Sequence, residues 1–179
     1  MVAKIKTRGP APVHLWDPPF CGDLDMVIKR DGTWVHEGKP IRRPALVALF
    51  ASVLKKEAAD FYLVTPVEKV RIRVEDCPFV VTEMDVSGEG SQQLLTFHTN
   101  VGEVVVADAD HPLSVTEQGA NQEPHPTLHV RNGLDGLLTR AVFYRLVEIA
   151  EVQIVEGEDK LGVFSAGEFF PLGTGTAAD

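Results

Sequence analysis

A strand, a tight turn and an apolar helix occur twice in this chain in the same order, and that repetition narrows the available folds more than any other feature. The first copy reads Thr33-Trp34-Val35-His36, then Gly38, Arg43 and a helix whose apolar residues Leu46, Leu49, Phe50, Val53 and Leu54 recur at steps of three and four. The second reads Thr127-Leu128-His129-Val130, then Gly133, Arg140 and a helical pattern through Leu134, Leu138, Val142, Leu146 and Ile149. Pro44 suits the first position of the first helix, and Lys55 and Lys56 suit its last turn, where the dipole favours cations. Asn132 or Asp135 is expected to cap the second helix. A short apolar strand follows each helix, at 61–64 and at 161–164. The expected class is α+β, with two related strand-helix-strand units.

Other strands follow from alternation. Leu24-Asp25-Met26-Val27-Ile28 meets Arg30-Asp31-Gly32 and resumes at Thr33, the pattern of a hairpin with an Asp-Gly turn. Gly38-Lys39-Pro40 is expected to end it. Val70, Ile72 and Val74 alternate with Lys69, Arg71 and Arg73. Strands are expected at 78–83, 92–99 and 103–107, the last two joined by Asn100-Val101-Gly102, with a loop over 118–126. The residues up to Pro12 and those from 173 onward are expected to be disordered.

Charge divides the chain more sharply than its total of -9 indicates. Residues 1–74 hold 13 Lys and Arg against 8 Asp and Glu, a balance of +5. Residues 75–179 hold 4 against 18, a balance of -14. We therefore expect a basic α+β domain over 1–74 and an acidic, β-rich domain with one long helix over 75–179, the second a possible duplication of the first. The split suits two domains that attract each other, or a basic half that receives an anion, and it also suits solvated charge distributed by chance. The longest apolar run is too short and too flanked by charge to cross a bilayer, and the start has no apolar leader core, so a cytoplasmic protein without membrane contact is expected. Cys21 and Cys77 lie 56 positions apart, with neither disulfide-framework nor zinc-knuckle spacing. Overall acidity argues against nucleic-acid polymers as partners.

Several residue groups suggest chemistry. Arg42 and Arg43 precede a helix start, where cations oppose the dipole, so either a bound anion or pairing with acidic side chains must hold them there. Lys69, Arg71 and Arg73 share one strand face, which is a seat for an anion or simply the wet side of a sheet. Asp23 and Asp25 form a DxD pair, a very weak signal for magnesium, and no metal or cofactor is expected. The six histidines show no HxH or HExxH arrangement, and no GxSxG elbow or dinucleotide fingerprint occurs.

One set of segments carries a resemblance. His14-Leu15-Trp16-Asp17-Pro18-Pro19-Phe20-Cys21-Gly22-Asp23, Asp31-Gly32-Thr33-Trp34, Pro40-Ile41, and Leu63-Val64-Thr65-Pro66-Val67-Glu68-Lys69 running on to Val74-Glu75-Asp76-Cys77-Pro78-Phe79 resemble a bacterial family of domains of unknown function, DUF1285. The resemblance spans the chain from about Val13 to its last strand. It implies a duplicated architecture and a second domain with a strongly bent antiparallel sheet or partial barrel, loosely like pleckstrin-homology domains. It also implies a site where the domains meet, a nucleotide-like ligand and a signalling role. Carried onto this sequence, it places Trp16, Asp17, Trp34, Arg43, Thr65, Glu68, Lys69 and Asn100 nearest that site. The function expected is that of a non-enzymatic binding protein for a small anionic ligand in the cleft between two domains. A protein-interaction adaptor is one alternative. The other is a hydrolase around Cys21, Cys77 or a histidine, which requires a thiol and an imidazole to approach in space.

Overall fold

The structure is a computed structural model that describes residues 9–174, so residues 1–8 and 175–179 of the expected disordered ends lie outside the described residues. The chain divides into two compact units, one of Met1–Lys29 and Thr33–Glu75, the other of Arg30–Gly32 and Asp76–Asp179.

The first unit opens with a 3-10 turn at Val13–Leu15, whose approach is tied down by the Ala11 N–H donating to the Ser52 carbonyl at 2.9 Å. There follow β1 (Phe20–Ile28), β2 (Trp34–His36), β3 (Lys39–Pro40), α1 (Pro44–Ser52), β4 (Leu54–Glu57), β5 (Asp60–Val64) and β6 (Lys69–Val74). They form one sheet in the order β3-β2-β1-β6-β5-β4, antiparallel except for the parallel central pair β1 and β6. Glu37 and Gly38 both take positive φ, 48° and 75°, which gives a two-residue hairpin turn and extends the sheet to β3 instead of ending it at Gly38. Pro44 opens α1 as expected, but the helix stops at Ser52. Lys55 and Lys56 are therefore not in a helical turn. They belong to β4, because pairing Leu54 with Leu63 buries both leucines in the core. Met26, Ile28, Trp34, Leu54, Val64 and Ile72 form that core.

The second unit comprises β7 (Phe79–Ser87), a 3-10 turn at Gly90–Gln92, β8 (Leu94–Thr99), β9 (Val104–Val106), β10 (Leu113–Gln118), β11 (Glu123–Arg131), β12 (Leu134–Leu138), α2 (Arg140–Glu148), β13 (Glu151–Val155), β14 (Glu158–Ser165) and β15 (Glu168–Thr174). Its main sheet has the order β10-β11-β12-β7-β8-β9, again with a parallel central pair, β7 and β12. Strands β13-β14-β15 make a separate antiparallel sheet. Three expectations are corrected. The expected loop at 118–126 is the turn and inner half of a β10–β11 hairpin. Residues 134–138 are strand rather than helix, because Asn132 and Gly133 form a positive-φ turn instead of a cap, and Leu134, Gly136 and Leu138 point inward at period two. Gly173 and Thr174 end β15.

The sheets are open, without closure or strong curling, which corrects the expected bent antiparallel sheet or partial barrel. The outermost strands β9 and β10 lie at opposite edges, and a parallel pair sits between them. In both units a strand hairpin, a helix and a second hairpin follow one another, as β2–β3, α1, β4–β5 and as β11–β12, α2, β13–β14.

A buried serine joins the two sheets of the second unit. Ser165, fully buried, donates its hydroxyl to the Ala107 carbonyl at 2.6 Å and accepts from the Leu95 N–H at 3.0 Å. Gln93 supports it by donating to the Phe164 carbonyl at 2.9 Å. Ser165→Ala leaves a buried N–H and a buried carbonyl without that partner, and should cost about 1–3 kcal/mol in urea unfolding. A midpoint unchanged from the parent would refute the assignment.

Candidate functional site

The first unit gathers several of the predicted residues on the outer face of β6. The hydroxyl of Thr65 accepts from the N–H groups of Val67 and Glu68 at 3.4 and 3.1 Å, and the Thr65 N–H donates to the Glu68 carbonyl at 2.8 Å. Thr65 and Glu68 thus form the turn that delivers Lys69 to the face. The Lys69 ammonium binds Glu57 and lies 4.4 Å over the Tyr62 ring. Lys55 also binds Glu57, at 3.1 Å, and donates to the Trp16 carbonyl at 3.3 Å. The exposed carboxylate of Asp17 adds electrostatic support to Lys69. Trp16, Asp17, Thr65, Glu68 and Lys69 therefore occupy one neighbourhood.

That face does not offer free positive charge. Arg71 makes two hydrogen bonds to Asp23, at 2.7 and 3.1 Å, and Arg73 binds Asp25 at 3.0 Å. A cavity of about 420 Å³ beside them is bordered by Asp23, Asp60, Arg71 and Arg73, so its acids and bases balance. The basic stripe is the paired, wet side of a sheet, and the DxD carboxylates are the partners of its arginines.

Two predicted residues stand apart. Trp34 is 1% exposed, stacks on Phe50 with centroids 6.1 Å apart, and keeps its indole N–H buried without a hydrogen-bond partner among the described residues, so its ring is part of the core. Arg43 is exposed at the N-cap of α1, where its carbonyl accepts from the N–H groups of Leu46 and Val47. Much of α1 is exposed although the helix is apolar, with Leu49 at 59%.

Asn100 lies in the second unit. Its side-chain oxygen accepts from the Val80 N–H at 3.0 Å, and its amide donates to the Gly32 carbonyl at 3.3 Å. Gly32 has φ +90°, and a Cβ there would stand 2.6 Å from the Asn100 amide nitrogen, so only glycine fits. Asn100 thus holds the Arg30-Asp31-Gly32 turn against β7. That turn forms part of the wall of a cleft of about 830 Å³, which is also lined by Glu123, Arg140, Phe143 and Tyr144. Arg140 is the first residue of α2, and Thr139 caps that helix by accepting from the Val142 N–H at 3.3 Å. Of the cleft residues, Arg140 was marked in the sequence as the counterpart of Arg43 in the second copy of the repeat, although the helix was expected to begin before it. Arg30, Phe143 and Tyr144 had no local signal, because strand pairing and helix orientation bring them together. Among the described residues, four histidines of this unit pair with carboxylates: His98 with Asp85, His111 with Asp108, His125 with Asp76 and His129 with Asp135.

These features define a two-unit α+β protein with an open mixed sheet in each unit and a cleft in the second. The chain belongs to the DUF1285 family: the N-terminal domain of that family matches residues 11–77 and its C-terminal domain matches residues 78–172. The crystal structure of a DUF1285 family protein from Silicibacter pomeroyi DSS-3 is similar at 53% identity and TM-score 0.88, over 96% of this chain and 92% of that one. A DUF1285 family protein from Shewanella baltica OS155 is similar at 28% identity and TM-score 0.54, over 70% of this chain and 91% of that one. No curated protein matches the chain. Among the described residues, no helix is long and apolar enough to cross a membrane.

The paired face makes a pH prediction. Hydrogen bonds from Lys69, then Lys55, hold the Glu57 carboxyl below its ordinary value near 4.5, and a hydrogen bond from Arg71 does the same for Asp23. A lowered folded-state value contributes stability that is present above the unfolded value and is lost as pH falls through the folded one. Carboxyl NMR titration should give both residues acid-shifted midpoints. Lys69→Met should raise the Glu57 midpoint and leave that of Asp23 in place, and an unmoved Glu57 would contradict the pairing.

Proposed function

We propose that this protein is a non-enzymatic binding module for a small anionic ligand with an aromatic or apolar part, nucleotide-like in chemistry, and that the ligand is taken up in the cleft of the second unit. The observation that carries the reading is the composition of the cleft wall. Arg140 and Arg30, the latter ion-paired with Asp76 at 3.3 Å, line about 830 Å³ together with the rings of Phe143 and Tyr144, a volume within the range of small-molecule sites. Arg140 opens α2, where backbone N–H groups left over by the helix favour negative charge. Guanidinium forks match phosphate or carboxylate oxygens, and the rings suit a base or another flat apolar group. Asp31 and Glu123 on the same wall disfavour ligands of high negative charge, so one or two anionic groups fit better than a polyanion. A signalling role would follow from reversible occupancy of such a cleft.

A thermal-shift series with nucleoside mono- and diphosphates tests this. Ligand at 100 times its Kd adds roughly 2.7 kcal/mol, and Arg140→Gln should remove about 1.5–3 kcal/mol of binding by deleting a charged hydrogen bond. Unchanged melting with every anion at millimolar concentration would count against the reading.

A second reading, as a protein-interaction adaptor, draws on β13. It is an edge strand whose Val152 and Ile154, two positions apart and so on one face, are 47% and 76% exposed, with Glu148 and Glu151 close by in sequence. If a partner adds a strand there, Glu151→Lys should abolish its capture from lysate while leaving the melting temperature unchanged. Capture indifferent to that substitution would exclude this edge.

A further inference from the structure

We infer that Asp76, Cys77 and His125 form a zinc-binding site in the second unit. Oδ1 of Asp76 lies 2.7 Å from Nε2 of His125 and accepts from the Cys77 thiol at 3.5 Å. One donor atom from each of the three residues lies within 4.8 Å of the other two. Cys77 and His125 are 7% and 8% exposed, so the cluster is sheltered from competing water. Sulfur, imidazole nitrogen and carboxylate oxygen are the donors that zinc takes, and three protein ligands leave a fourth position for water or an exogenous ligand. Ligands on a tetrahedral zinc with bonds of about 2.0–2.3 Å stand roughly 3.3–3.8 Å apart, so an ion would replace the Asp76–His125 hydrogen bond and spread that pair from 2.7 Å, while Asp76 and Cys77 at 3.5 Å already stand at ligand spacing.

The surrounding chain favours this arrangement. Asp76 and Cys77 are adjacent just ahead of β7, and His125 sits on β11 between Pro124 and Pro126. Those prolines line the cleft, so alternation along the strand turns His125 to the opposite face. The Arg30 guanidinium lies 3.3 Å from Oδ2 of Asp76, the oxygen not used by the cluster. It therefore orients the carboxylate with Oδ1 toward sulfur and imidazole, as an outer partner of a ligating carboxylate does. On binding, the thiol releases its proton to solvent and the neutral imidazole coordinates through the nitrogen facing Asp76. Thiolate and carboxylate then balance the two charges of the ion. A purely hydrogen-bonded staple has no need of sulfur, since a thiol is a weak donor and a hydroxyl is a better one.

The test is a cobalt titration of the full chain. Co²⁺ should bind at about one equivalent and produce the intense near-ultraviolet thiolate-to-cobalt charge-transfer band, with visible bands of tetrahedral geometry, and zinc should displace it. Cys77→Ser should abolish the charge-transfer band, and His125→Gln should weaken binding by more than tenfold. Arg30→Gln, which removes an outer partner, should weaken it by about 10- to 100-fold. Cys21→Ser, which removes the exposed thiol, should leave the spectrum as it is. Absence of the charge-transfer band in the parent protein overturns the site whether or not any variant folds. A band that disappears with Cys21 instead of Cys77 also overturns it.

Discussion

The pairing of a first and a sixth strand side by side in parallel organises each unit. Parallel neighbours cannot be joined by a hairpin and need a longer crossover, and here the chain leaves by one edge of the sheet and returns by the other. In the first unit it runs outward through β1, β2 and β3, crosses with α1, and returns inward through β4, β5 and β6. In the second it runs outward through β7, β8 and β9, crosses over residues 107–112, and returns through β10, β11 and β12. The strand orders are the same when six is added to each number. The whole six-stranded sheet is therefore repeated, but in a different register from the strand-turn-helix pattern of the sequence: β2 corresponds to β8 rather than β11, and α1 to the crossover over residues 107–112 rather than to α2. In the second unit α2 lies after the sheet, and the chain continues into a three-stranded sheet held to the main one through Ser165.

Charge is organised locally. The excess of basic residues in the first seventy-four positions is a property of the sequence, yet on the outer face of β6 it is met by Glu57, Asp23 and Asp25 at ion-pair distance. Net charge of a segment describes its long-range field, whereas a binding face depends on charge that neighbouring strands leave unmatched. Exposed pairs of this kind contribute little to stability, typically about 0–1 kcal/mol each. Their effect here is to make the face electrically quiet, which moves attention to the cleft in the second unit, where Arg140 opens α2 on a wall shared with Phe143 and Tyr144.

Legibility followed the range of the interaction. Period-two alternation identified β6 and the second half of β1, and Pro44 identified the start of α1, because these depend on neighbours a few residues away. The helix expected from Leu134 failed because leucines spaced by four satisfy both a helix and a strand that skips through Gly136, and the Asn132-Gly133 turn with its parallel partner β7 decided for the strand. Thr65 and Glu68 were recognisable as a motif, but their role as a turn emerged only from their mutual hydrogen bonds. Trp34 looked like a ligand contact and is a core ring, because β2 turns it onto Phe50. The cluster of Asp76, Cys77 and His125 was invisible to motif spacing, since its histidine lies 49 positions from its aspartate.

By itself the sequence determined that the chain is α+β, that its acids and bases are unevenly distributed, and to which family it belongs. Those properties reside in composition and in patterns a few residues long. Tertiary structure decided where the repeat begins and ends, which charges neutralise one another, and which residues meet at the cleft and around Asp76. Each of these depends on strand register and parallel pairing between segments far apart in the chain, and no local propensity encodes that pairing.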